Sequence, residues 1–99
     1  MIVYMNIQDP SWMDGYFRDV PELLAEYGAE SVAGGRTVRR LEGDMAVPDR
    51  IAVFSFPSLD AVDRFMADDR YRSHRERRER GAESQIFVFE NAVSEGGLV

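Results

Sequence analysis

Tyr71, His74, Arg75 and Arg78 are the residues of this chain best spaced to do chemistry together. They lie in ADDRYRSHRERRERG, residues 67–81, where six arginines, one tyrosine and the only histidine stand within an otherwise acidic sequence. On a helix, offsets of zero, three, four and seven put the four on one stripe, with Arg70, Arg72, Arg77 and Arg80 off it. A phenol, an imidazole and a guanidinium on one face suit a small carboxylate or enolate, the arginine fixing the anion while histidine or tyrosine moves a proton. On this reading His74 and Tyr71 are candidate catalytic residues and Arg78 and Arg75 candidate ligand-binding ones. Glu42, at the end of the second strand, is a candidate orienting or proton-accepting carboxylate. Tyr16, on the apolar stripe of the first helix, joins the ligand-binding set, beside its plainer reading as a core residue with a satisfied hydroxyl.

The same run supports two other readings. Glu76 with Arg80 and Asp68 with Arg72 are favourable i,i+4 pairs, while Arg72–Glu76 and Arg75–Glu79 pair in the weaker order, so the segment also reads as a solvated helix face. Between residues 68 and 80 six arginines meet four acids, a local balance of +2. That excess is small for a nucleic-acid grip, and the net charge of −6 over the whole chain repels polyanions, so no nucleic-acid partner is expected. Ser73 and His74 are adjacent, which on a helix points them apart, and no serine hydrolase pair follows.

Composition removes further chemistries. With no cysteine there are no disulfides, thiolates or cysteine metal sites, and one histidine cannot form a histidine pair, so no metal is expected. All twelve basic residues are arginines, which excludes a Schiff-base lysine and the lysine of a P-loop. Haem is disfavoured because His74, on an arginine-rich helix, would be its only strong axial ligand, and no cofactor is expected. No apolar run is long enough to cross a bilayer. The opening MIVYMNIQDP has no positive residue ahead of its short apolar stretch, so the expectation is a soluble cytoplasmic protein with no membrane partner.

The elements that must position these residues follow from pattern. IVYMNI at 2–7 reads as a strand, Asp9 and Pro10 as a helix start, and Tyr16, Val20, Leu23 and Tyr27 as a buried stripe closed by Gly28. Residues 30–42 read as an extended segment with a bulge or bend at Gly34-Gly35, residues 43–49 as a loop, and RIAVFSF at 50–56 as the clearest strand. Ser58 caps a second helix with Leu59, Val62, Phe65 and Met66 on one face. Continued unbroken, that helix would bury Asp69 and Ser73 and expose Tyr71, so a bend is expected between Ala67 and Asp69, with the re-phased helix ending at Gly81. QIFVFEN at 85–91 is a fourth strand. The fold class is therefore α+β: a single domain over residues 1–91 in the order βαββαβ, the ferredoxin-like arrangement, with a four-stranded antiparallel sheet and two helices on one face. Residues 92–99 are expected to be a mobile or partner-contacting tail.

Two helices cover one face of such a sheet, yet both faces carry large apolar side chains. Ile51 and Val53 oppose Ala52, Phe54 and Phe56, and Ile86 and Val88 oppose Phe87 and Phe89. A bare face of that kind calls for a cover, and an identical chain supplies one, so the chain is expected to work as a homodimer.

YGAESVAGG at 27–35, LEGD at 41–44, FSFPSLDAVDRF at 54–65 and DRY at 69–71, with an arginine seven residues on, resemble the family catalogued as domain of unknown function thirteen-thirty. Their order and spacing carry the resemblance up to about Asn91. It implies a ferredoxin-like chain in the dimeric α/β-barrel superfamily, whose wider members include cofactor-free monooxygenases, lactone isomerases and haem enzymes. Ala33 stands where the family pattern carries arginine, and Asp68 and Asp69 replace a small residue and a proline. The functional expectation is a small homodimer binding a compact organic acid or aromatic metabolite, with cofactor-free proton-transfer or oxygenase chemistry. Its alternative is a non-catalytic structural or accessory dimer without a small-molecule site.

Overall fold

A computed structural model describes residues 1–91; the expected tail, residues 92–99, lies outside the described residues. The element order is β1 (Ile2–Ile7), a 3-10 turn (Pro10–Trp12), α1 (Met13–Glu26), β2 (Glu30–Gly35), β3 (Arg50–Ser55), α2 (Leu59–Met66), α3 (Asp69–Gly81) and β4 (Ala82–Phe87). The class is α+β, with four antiparallel strands in the order β2-β3-β1-β4 and three helices.

The local chemistry explains most boundaries. Asp9 accepts from the Ser11 N–H at 2.9 Å and Pro10 opens the 3-10 turn, where a missing N–H costs nothing. Gly28, at φ 77°, ends α1 in a Schellman arrangement: its N–H donates to the Ala25 carbonyl and that of Ala29 to the Leu24 carbonyl, both at 3.0 Å. Ser58 Oγ accepts from the Ala61 N–H at 3.0 Å and starts α2. The break between α2 and α3 falls where the change of apolar phase requires it. There Asp68 caps α3 by accepting from the Arg70 N–H at 2.8 Å.

Four expectations need correction. The helical layer has three α-helices rather than two, because the bend at 67–68 separates α2 from α3 completely. β2 stops at Gly35, so residues 36–42 belong to the loop and Glu42 is not at a strand end. The register shift falls between Ser31 and Ala33, ahead of the glycine pair, leaving Val32 as the extra residue. β4 begins at Ala82 directly from the end of α3 and ends at Phe87, short of Val88 and Phe89.

Strand register sorts the two faces. Opposite residues share a face, so Val3 with Ala52 and Ile86, and Met5 with Arg50 and Ser84, point one way, while Ile2 with Val53 and Phe87, and Tyr4 with Ile51 and Gln85, point the other. The helices cover the first face. Val20, Leu23 and Leu24 of α1 pack with Phe65 and Tyr71, and a second cluster joins Met5, Trp12 and Ala82. At the end of α3 the Trp12 ring lies against Gly81, where an added Cβ would fall 2.5 Å from Trp12 Cδ1 and from the Asp9 carbonyl oxygen. No described helix is long and apolar enough to cross a membrane.

Candidate functional site

The site grows from the inward stripe of α3. Tyr71 is 1% exposed and stacks on Phe65, ring centroids 4.3 Å apart. About two turns further along α3, Arg78 is 3% exposed. Its Nη1 donates to the Tyr71 phenol oxygen at 2.6 Å and to that of Tyr16, on the facing stripe of α1, at 3.0 Å. Its guanidinium carbon also stands 5.8 Å from the Tyr16 ring centre and 5.9 Å from that of Tyr71. No carboxylate pairs with Arg78 among the described residues, and its Nε is buried without an acceptor.

That is an uncommon state for an arginine. Burying a guanidinium is costly unless an anion or several acceptors answer it. Here burial works against the charge on Arg78, and the Tyr16 and Tyr71 phenols outweigh it, holding the guanidinium above its ordinary value. Burial first, and then the neighbouring Tyr71, push the Tyr16 phenol well up against the pull of Arg78, so it stays protonated at neutral pH. Both phenol oxygens already accept from Arg78. A phenol–phenol hydrogen bond can consume at most one of the two O–H protons, so one is left to donate elsewhere.

Tyr16 and Tyr71 both line a cavity of about 320 Å³ between α1 and the sheet. Its walls are mostly apolar: Val3, Met5 and Ile86 from the strands, Phe17, Val20 and Leu24 from α1. Pro21 also lines it, and its missing N–H removes the usual helical partner of the Phe17 carbonyl beside the same space. Arg50 and Ser31 are the other polar lining residues. Arg78 stands behind the phenols rather than on the wall.

The structure thus brings together three of the residues picked from sequence, Tyr71, Arg78 and Tyr16. His74 lies beside them but off the lining: its Nε2 meets Asp19 Oδ2 at 3.2 Å, and its ring stands edge-on to Tyr16 with centroids 6.2 Å apart. Arg75 leaves the stripe, its Nε bonding Glu79 Oε1 at 2.9 Å on the outer surface. A long flexible side chain at offset four can reach outward along the helix, which the offsets alone did not resolve. Glu42 is exposed on the 36–49 loop and does not line the cavity.

Three participants were missed. Arg50 shares the strand face of Ala52 and Phe54, and period-2 alternation would have placed it there. Asp19 is one helical step from Tyr16 on α1 and would have been found by asking what faces His74. Asp68 accepts from the Tyr27 hydroxyl at 2.6 Å and from Arg70, whose Nη1 reaches Glu26 at 2.9 Å, so the end of α1 is tied to the start of α3. Among the described residues no cluster of three acidic or histidine side chains could hold a metal ion.

The family model described as domain of unknown function DUF1330 matches residues 1–92. The chain belongs to that family. The fold is consistent with the superfamily to which the DUF1330 resemblance points. No curated protein matches the chain.

Proposed function

We propose that this DUF1330 chain is a homodimeric, ferredoxin-like domain of the dimeric α/β-barrel type that binds a compact organic acid or aromatic metabolite in the cavity between α1 and the sheet. The strand order β2-β3-β1-β4 with helices on one face supports the ferredoxin-like assignment. The uncovered face, with Ile2, Tyr4, Ile51, Val53 and an exposed Phe87, supports a second copy as its cover.

The observation that carries the ligand reading is Arg78, a buried cation that has no acidic partner among the described residues and bonds the phenols of two residues lining an apolar cavity. Such an arrangement answers an oxygen on which negative charge rests or grows, with the phenol donating and the guanidinium behind it. The chemistry it suits is cofactor-free. A phenol proton is shared with or passed to the ligand oxygen, and His74, braced by Asp19, holds the Tyr16 ring in place.

A structural dimer without a ligand is the second reading, favoured by the fact that Arg78 and the two phenols partly satisfy one another. Thermal melting in the presence of benzoate and 3-phenylpropionate separates the two. On the binding reading the melting temperature of the wild type rises with acid concentration, by mass action. A flat response in the wild type overturns the reading. For the assembly, sedimentation at micromolar concentration that returned only the 11.3 kDa monomer would remove the dimer.

A further inference from the structure

The cavity has a second cation. Arg50 lines it half-buried, its guanidinium carbon 5.9 Å above the Phe17 ring, and it has no ion pair among the described residues. The acid beside it in sequence is committed elsewhere: Asp49 Oδ2 accepts from the Ile7 N–H at 2.8 Å, while the Asp49 N–H bonds Asn6 Oδ1 at 3.1 Å. Among the described residues no aspartate or glutamate lines the cavity. The charged and polar side chains that line it are Arg50, Tyr16, Tyr71 and Ser31, set among the rings of Phe17, Phe54 and Phe65, while the Met1 ammonium at its edge is engaged by the Phe54 carbonyl at 2.8 Å.

These groups do different work. Arg78 is off the wall and its Nη1 is spent on the phenols, so it cannot be the hand that holds a carboxylate. Arg50 is on the wall, and its fork matches a carboxylate. The phenols, each already accepting from Arg78, have a proton to give and suit a second ligand oxygen. We propose that the cavity takes an aromatic monocarboxylate that carries a second oxygen function, its carboxylate on Arg50 and its second oxygen on the Tyr16–Tyr71 pair. A volume of about 320 Å³ lies at the low end for ligand pockets and suits a single ring. This rests on the acid-binding reading above and moves the anion site from Arg78 to Arg50.

Titration calorimetry of the full chain with three probes tests it: 3-(4-hydroxyphenyl)propionate, 3-phenylpropionate, which lacks the second oxygen, and 4-ethylphenol, which lacks the carboxylate. The wild type should bind the first about tenfold more tightly than either fragment, since buried donors left unanswered penalise the analogue that lacks their partner. Arg50→Gln should weaken both acids by about tenfold or more and leave 4-ethylphenol unchanged. Tyr71→Phe should erase the preference for the hydroxylated acid while 3-phenylpropionate holds its affinity, and Tyr16→Phe gives the same comparison should Tyr71→Phe fail to fold. The two-point assignment is overturned if Arg50→Gln weakens all three probes alike, or if the hydroxyl preference survives both phenol variants. Either result leaves acid binding in the cavity standing. Failure of the wild type to bind any of the three at millimolar concentration removes the assignment together with the reading on which it rests.

Discussion

Arg75 and Arg78 are separated by less than one turn of α3, yet they live in different solvents. Arg75 reaches along the outer surface to Glu79, with side-chain exposures of 43% and 53%, where water screens the pair. Arg78 is buried and, among the described residues, is answered by two phenols and no acid. The outer face carries charge because charge costs nothing there. The inner face carries one guanidinium against the desolvation penalty, and on the proposed reading the cavity in front of its phenols accounts for it.

The contrast is sharpest in stability. Arg78→Ala should cost about 2–4 kcal/mol, because it leaves a void against Tyr71 and removes the donor shared by the buried Tyr71 phenol and the half-buried Tyr16 phenol. Urea unfolding at neutral pH measures this directly. A loss smaller than about 1 kcal/mol would mean that Arg78 behaves as a surface residue does, and the distinction between the faces would collapse.

Why the two arginines could be told apart only in part from the sequence follows from the kind of signal each leaves. The apolar phase of α2 and the misfit of Tyr71 forced a break at 67–69 and a re-phased helix, which put Tyr71, His74 and Arg78 inward together. Caps at Asp9, Gly28 and Ser58 are local chemistry and were readable for the same reason. Arg75 sits at an allowed offset on that stripe, and nothing local says that its side chain turns to Glu79. Glu42 was drawn into the site by an overlong second strand, for weak alternation in a glycine-containing segment does not fix where pairing stops. Arg50 was overlooked because charge at a strand start reads as an edge, although its parity with Ala52 and Phe54 pointed inward. The pairing of Tyr27 with Asp68 spans 41 residues and has no local signature at all.

Asp68, at the start of the same helix, tests the contrast from the acidic side. Arg70 first, and then the Tyr27 hydroxyl, hold its carboxyl well below the usual 3.8. A carboxyl that binds its proton more weakly in the folded chain than in the unfolded one stabilises the fold fully above the ordinary carboxylate range. That contribution declines as the pH falls below the range and is gone below the depressed value. Asp68→Asn keeps a capping side chain and removes the charge. Urea unfolding should show the variant less stable than the wild type near pH 6, by less than Arg78→Ala costs, with the gap narrowing toward about pH 2.5. A gap of constant size would mean that the carboxylate charge contributes nothing and that the cap alone matters.

Arg75→Ala is the smallest change and the control that gives the others their meaning. Its pair with Glu79 is an i,i+4 contact in which arginine precedes the acid, the weaker order against the helix dipole, and both partners keep much of their hydration. Holding two long side chains in one geometry offsets most of the Coulomb gain, so the expected cost is within about 0.5 kcal/mol. That remainder should shrink further in high salt, because exposed charges are screened within a few ångströms at molar ionic strength. The acid affinities measured for the cavity should be unchanged, since the Arg75 side chain does not line it and turns to Glu79 instead. If instead Arg75→Ala weakened acid binding as Arg50→Gln is expected to, the ligand would have to reach the outer face of α3, and the boundary drawn between the two arginines would lie in the wrong place.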